Sequence, residues 1–181
     1  DLADDVMQWE VPDGIDVAVI CAGMTRLEDC RSNPKDTHRI NVDATNQLIE
    51  KLVCNGVFVI YISTNQVFNG TVPHCKPCDK MCPVTEYGRQ KAELENRISR
   101  LGDKIAIVRF GKILGPNGNI ITNWTASLKA GEIIHPFSDL VIAPIQLSLA
   151  LSVLHLVARK RSPEIFQVSA DKDITYEQAA Y

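Results

Sequence analysis

The stretch VFVIYISTNQVFNG (57–70), followed after a loop by VTEYGRQKAELE (84–95), decides the fold. Val57 to Ile62 is an unbroken hydrophobic run, short enough for a strand and patterned like one buried on both faces of a parallel sheet. Ser63 and Thr64 then set hydroxyls at its carboxyl end, where open α/β sheets bind their ligands. The second half reads as a helix. Ala92, Leu94, Ile98 and Leu101 form its apolar stripe, and Glu93 pairs with Arg97 at i, i+4. Tyr87 and Lys91 are also four apart, so they share a face. A phenol titrates near pH ~10 when free, and a neighbouring Lys⁺, helped by an oxidised nicotinamide, is expected to draw it toward working pH. Thr64 would then hold a carbonyl or alcohol while Tyr87 gives or takes its proton. A tyrosine and lysine at this spacing are common on helices; the strand, the terminal hydroxyl and the short loop before Y-G-x-x-K give the pair its meaning.

Working outward, the chain alternates strands and helices. Strands are expected at Ile15–Cys21, Lys104–Phe110 and Glu164–Val168. A helix capped by Asn33, with Pro34 at its first position, is expected to run through Leu52 and stop at Asn55-Gly56. Asp4–Pro12 reads as a short helix, 117–138 as loop plus helix with Trp124 and Leu128 packing, and Pro144 as the start of an amphipathic helix. Thr175 and Gln178 have the spacing of a capping box. This alternation predicts an α/β fold with a doubly wound parallel sheet. Ile15–Cys21 is patterned as an interior strand, yet in this chain it would be an edge with an uncovered face.

Composition narrows the classes. The 181 residues carry a net charge of −3 and no basic patch of the kind nucleic acid demands. No apolar run reaches the ~20 residues of a membrane span, and no signal peptide is visible, so the expected location is cytoplasmic. The six cysteines fit reduced thiols better than a disulfide framework.

Taken together, STNQVFNG and YGRQKAELE resemble the extended, nucleotide-sugar branch of the short-chain dehydrogenase/reductase superfamily. The pattern is similar to that of the dTDP-4-dehydrorhamnose reductases, S-T-D-Y-V-F-D-G and Y-G-x-[ST]-K-x-x-G-E. This chain has Asn65 in place of the acid, Gln66 in place of the aromatic and Asn69 in place of the second Asp. The resemblance implies a Rossmann-type sheet over 1–115 and part of a substrate region over 116–181. It implies catalytic roles for Thr64, Tyr87 and Lys91, NADP or NAD as cofactor, and a nucleotide-sugar substrate near Thr64, Asn65, Gln66, Val67 and Tyr87.

Further cofactor contacts come from the same resemblance. Asp1 and Leu2 match a pair bordering the adenine, and Cys21 to Thr25, with Ala22 and Gly23, match a turn lying against the dinucleotide. Asn41 matches a supporting asparagine. Ile62, Ser63, Tyr87 and Lys91, with Phe110 and Gly111 on the next strand, complete the set. The family's glycine-rich phosphate turn has no counterpart here, so the reading is of a fragment whose front is missing. The implied association is a homodimer or a complex with a partner enzyme. Two alternatives stand beside the reductase: an epimerase or dehydratase on the same scaffold, and a non-catalytic protein like the methionine adenosyltransferase regulatory subunit, for which Asn65 and Gln66 leave room.

One loop lies outside the resemblance. Cys75, Cys78 and Cys82, with His74, offer soft metal ligands at C-x2-C-x3-C. A single cluster without a second knuckle is weak, so a substrate-side loop is the preferred reading and zinc the lesser one.

Overall fold

In the computed structural model, which describes residues 2, 4, 6–116 and 120–180, the chain starts with a single 3-10 turn at Val6–Gln8. Strand β1 (Val17–Ile20) follows, then helices α1 (Leu27–Ser32), α2 (Pro34–His38) and α3 (Thr45–Cys54). Next come β2 (Phe58–Thr64), α4 (Glu86–Ile98) and β3 (Ile105–Phe110). The chain continues through β4 (Ile113–Leu114), α5 (Ile120–Lys129), β5 (Val141–Ile142) and β6 (Ile145–Gln146). It closes with α6 (Leu147–Lys160), β7 (Ile165–Val168) and β8 (Ile174–Thr175). Two compact units result, Asp1–Arg109 with Leu154–Gln167, and Phe110–Val153 with Val168–Tyr181.

The parallel sheet has the order β1-β2-β3-β7, with β1 and β2 in register from Val17 opposite Phe58 to Ile20 opposite Tyr61. The expected α/β architecture is therefore present. In the first unit the hydrophobic run of β2 is buried almost throughout, as its pattern demanded. Val57, Val59 and Tyr61 pack with Ile49 and Leu52 of α3, Leu94 and Ile98 of α4, and Ile105 and Ile107 of β3. β1 is the edge, and Val19 is 39% exposed on it.

Several local expectations need correction. The helix after Asn33 is not continuous: a π-helical segment, Arg39–Ala44, separates α2 from α3, with the Thr45 hydroxyl donating to the Ile40 carbonyl at 2.7 Å. Asn33 makes no side-chain cap; its amide donates to Ser32 Oγ, and its carbonyl takes the Thr37 amide and hydroxyl instead. Among the described residues of 4–12 the helical element is the 3-10 turn at Val6–Gln8, the segment being too weakly patterned to sustain an α-helix. Pro144 precedes a strand, because Ile145 pairs with Ile113 in β4, and α6 begins at Leu147. Leu128 is 53% exposed, whereas Trp124 does pack, edge-on to Tyr176 at 6.1 Å. Gly56 does end α3, with φ +80, and the Thr175–Gln178 capping box forms reciprocally at 2.9 and 3.0 Å. Among the described residues no helix is long and apolar enough to cross a membrane.

A buried ion pair ties α4 to the sheet. Arg109 of β3 donates to Glu95 of α4 from Nε (3.0 Å) and Nη2 (2.6 Å), and both residues are almost fully buried. The Ser63 hydroxyl donates to the same carboxylate at 2.5 Å, and Arg109 Nη1 donates to the Pro77 carbonyl at 3.2 Å. The guanidinium also lies 5.2 Å from the Phe68 ring centre. Two charges out of water need this many partners to offset their desolvation. Glu95→Ala leaves Arg109 charged and unpaired in the core, so it should cost about 3–5 kcal/mol, seen as a lowered urea midpoint. Combining Glu95→Leu with Arg109→Met should recover most of that loss.

Candidate active site

Thr64 ends β2 in extended backbone, and its Oγ1 accepts the Gln66 amide (3.2 Å) to cap the 3-10 turn Asn65–Val67. The Gln66 side-chain oxygen accepts the Thr85 hydroxyl at 3.1 Å, and Thr85 Oγ1 accepts the Gly88 amide at 3.0 Å as the N-cap of α4. Strand end and helix start thus share one chain of bonds. Gly88 stands where the two backbones meet. A Cβ there would collide with the Gln66 carbonyl oxygen and lie 3.0 Å from Thr85 Oγ1, so only glycine lets α4 approach this closely.

One turn further on, Lys91 is 8% exposed and donates to the Ile62 carbonyl at 2.6 Å. Its ammonium lies 4.2 Å from the Tyr61 ring centre and 5.9 Å from that of Tyr87. Burial pulls the Lys91 ammonium down to about 8, against the Glu95 carboxylate, which acts to raise it. Burial pushes the Tyr87 phenol up to about 12, with the Cys30 thiol adding to the shift. Among the protein's own groups, burial outweighs the attraction of the ammonium that the spacing announced. The ammonium is spent on the Ile62 carbonyl and the Tyr61 ring, and desolvation of the phenol is the larger effect. At neutral pH Tyr87 keeps its proton and Lys91 its charge. The site is set to donate.

Beyond β1, Cys21, Ala22, Gly23 and Thr25 are exposed in the turn leading to α1. Gly23 has φ +153, and a Cβ on it would lie 3.1 Å from Asn41 Oδ1. Asn41, in the π-helical segment, grips the turn with both ends of its amide: Oδ1 accepts the Met24 amide at 2.7 Å and Nδ2 donates to the Met24 carbonyl at 2.9 Å. Small exposed residues on a clamped turn fit a dinucleotide lying close to backbone. Leu2 sits half-buried in the N-terminal turn, while Asp1 lies outside the described residues. Ile62 contributes its carbonyl to Lys91, and Ser63 commits its hydroxyl to Glu95. Phe110 and Gly111 belong to the second unit, where Phe110 is buried and the Gly111 amide donates to the Val168 carbonyl at 2.9 Å.

Asn65 and Gln66 line a cleft of about 170 Å³ with Phe68, Asn69, Gly70, Val84 and Thr85. Val67 is a correction: it is fully buried in a small core with Phe68 and Ala92 and offers no side chain to a substrate. The three cysteines of the loop are disposed differently. Cys75 turns its thiol to the Val72 carbonyl (3.3 Å) and packs on the Val67 core, while Cys78 and Cys82 are exposed. Among the described residues no group of three His, Cys, Asp or Glu side chains could hold a metal.

The sequence reading missed Gly88, Gln90 and Glu95. A faint signal existed. Gln90 stands four before Leu94 on the Leu94–Ile98 stripe, and Glu95 four after Lys91, so each is a polar residue at a core-facing position.

Residues 4–180 match the family profile described as RmlD substrate binding domain. The "Probable low-salt glycan biosynthesis reductase Agl14" of Haloferax volcanii is 28% identical over 137 residues, 72% of this chain and 46% of that protein. "Methionine adenosyltransferase 2 subunit beta" of Pongo abelii is 33% identical over 102 residues, 54% of this chain and 30% of that protein. The chain spans less than half the length of these relatives. Among solved structures, the dTDP-4-dehydrorhamnose reductase of Bacillus anthracis str. Ames, in complex with NADP, superposes with a TM-score of 0.85 at 21% identity. That match covers 91% of this chain and 59% of the other, and it shows the same Rossmann-type fold.

The depressed Lys91 ammonium has a consequence for stability. Its folded value, about 8, lies below its unfolded value of 10.5, so keeping it charged in the fold is costly. Lys91→Met loses the bond to the Ile62 carbonyl at every pH but also the cost of the buried charge, so its stability relative to the parent should be greatest below pH 8, higher there than above pH 10.5 by an amount on the order of 3 kcal/mol. That excess should fade as pH rises from 8 to 10.5, where the unfolded chain alone holds the proton. Melting curves of both proteins across that range check the sign.

Proposed function

The chain belongs to the RmlD substrate binding domain family, and on that premise we propose that it serves an NAD(P)-dependent oxidoreductase that reduces the keto group of a nucleotide-linked sugar. The feature that supports this reading is the junction of β2 and α4: Lys91 of α4 donates to the Ile62 carbonyl two residues before Thr64 ends the strand, and its ammonium lies 5.9 Å from the centre of the Tyr87 ring. Ala22, Gly23 and Thr25, on the turn held by Asn41, together with Lys91, would hold NADP or NAD. When bound in reduced form, the nicotinamide supplies a hydride.

Thr64 orients the sugar carbonyl, and its hydroxyl polarises the oxygen. Tyr87 donates its proton to the oxygen as negative charge develops there. A phenol held near 12 keeps that proton until an alkoxide, a stronger base, appears. Lys91 balances the phenolate that remains with its ammonium charge, 5.9 Å from the ring centre. Asn65 and Gln66, beside the cleft, face the sugar.

A second reading rests on one observation. The chain resembles a subunit named beta of a methionine adenosyltransferase at 33% identity, and Gln66 is spent on Thr85, so a binding role without turnover is the alternative. An epimerase or dehydratase on the same scaffold would recycle its hydride.

The protein, purified from its full reading frame, should oxidise added NADPH or NADH in step with reduction of dTDP-4-dehydrorhamnose or a related keto sugar nucleotide. Tyr87→Phe should lower kcat by about 10²–10⁴-fold without loss of fold. Unchanged turnover in Tyr87→Phe refutes the catalytic assignment. Sugar conversion without net cofactor consumption points to the epimerase reading, and dinucleotide binding without any conversion points to the binding role.

A further inference from the structure

We infer that Gln90 is a positioning residue that couples the dinucleotide-side turn after β1 to the helix bearing Tyr87 and Lys91, an inference that rests on the reductase reading above. The family pattern has Ser or Thr immediately before the lysine, and this chain has a longer amide there. Gln90 is 1% exposed, yet every polar atom of its side chain is engaged. Its Oε1 accepts Asn41 Nδ2 at 2.8 Å, and its Nε2 donates to Thr37 Oγ1 at 2.9 Å and to Glu86 Oε1 at 3.2 Å. A longer approach to the Pro34 carbonyl, 3.4 Å, completes its surroundings.

The direction of each bond is set by the next. The Met24 amide proton requires Oδ1 of Asn41, so Nδ2 must face the Met24 carbonyl and Gln90. Gln90 must then present Oε1 to Asn41 and Nε2 to Thr37, whose own hydroxyl proton goes to the Asn33 carbonyl at 3.0 Å. Neither amide can flip without leaving a buried donor facing a donor. A relay therefore runs unbroken from the backbone of Met24, through Asn41 and Gln90, to the first turn of α4 at Glu86.

Lys91, the next residue, fastens the same helix to β2 through the Ile62 carbonyl. Helix α4 is thus held between two anchors, one on the strand and one on the turn expected to carry dinucleotide. A serine hydroxyl at position 90 is too short to reach Asn41, so the coupling belongs to this chain's glutamine. A buried network satisfied at every member allows one arrangement, and a shift of Met24 is passed to the Tyr87 turn rather than absorbed.

Gln90→Met keeps the volume and removes the relay; Gln90→Ser supplies the residue the family pattern has there and serves if the methionine variant fails to fold. Both are compared with the parent protein, expressed from its full reading frame, below their melting temperatures. Hydrogen exchange at the Met24 amide, which touches Gln90 only through Asn41, should quicken by about tenfold or more. With keto sugar nucleotide and NADPH, kcat should fall about 10–100-fold while KM for the sugar stays within about threefold. A lower melting temperature with Met24 exchange unchanged and kcat within about twofold overturns the inference and leaves Gln90 a packing residue. If the parent protein shows no turnover, the reductase reading fails by itself, and Met24 exchange alone then upholds or refutes the relay.

Discussion

One contact seats the rest: the ammonium of Lys91 on the carbonyl of Ile62, at the end of a strand whose hydrophobic residues are buried on both faces. It forms only because α4 comes close enough for a side chain to span from helix to strand. That closeness depends on Gly88, which lets the helix backbone meet the Gln66 carbonyl, and on the Thr85–Gln66 bond that closes the corner. From the far end of the helix, Glu95 adds its own tie through Ser63 and Arg109. Tyr87, one turn before Lys91, is carried with the helix, its ring centre 5.9 Å from the ammonium.

Close seating also sets the electrostatics. The same burial that brings Tyr87 and Lys91 together removes water from both, and burial disfavours charge on each. For the lysine this lowers proton affinity; for the tyrosine it raises it. A through-space argument based on spacing alone predicts the opposite for the phenol, because it counts the attraction of an ammonium and omits desolvation. Here desolvation is the larger effect, and the resulting pair is a protonated phenol beside a cation whose proton is held less firmly than in water.

The strand β2, the helix α4, the end of α3 at Gly56 and the capping box at Thr175 were all legible, since each rests on local rules of hydrophobic period, capping and glycine conformation. The misses share a cause as well. The π-helical segment at Arg39–Ala44 widens the helix around Asn41, which reaches Met24, seventeen positions away in the chain, a demand no local pattern announces. Asn33 has the identity of a cap, yet its amide turns to Ser32 while Thr37 takes its carbonyl. The resemblance put Val67 near the substrate, but its turn packs it with Phe68 and Ala92.

Residue order by itself determined the sheet class, the central strand and the pairing of Tyr87 with Lys91 on one helical face, because period and spacing are properties of a single segment. Only the tertiary structure decided what those groups do to each other. Burial depth, the Ile62 carbonyl that occupies Lys91 and the relay through Asn41 and Gln90 all join segments distant in the chain. Desolvation and hydrogen-bond direction depend on every neighbour at once, and those neighbours exist only when the chain has folded.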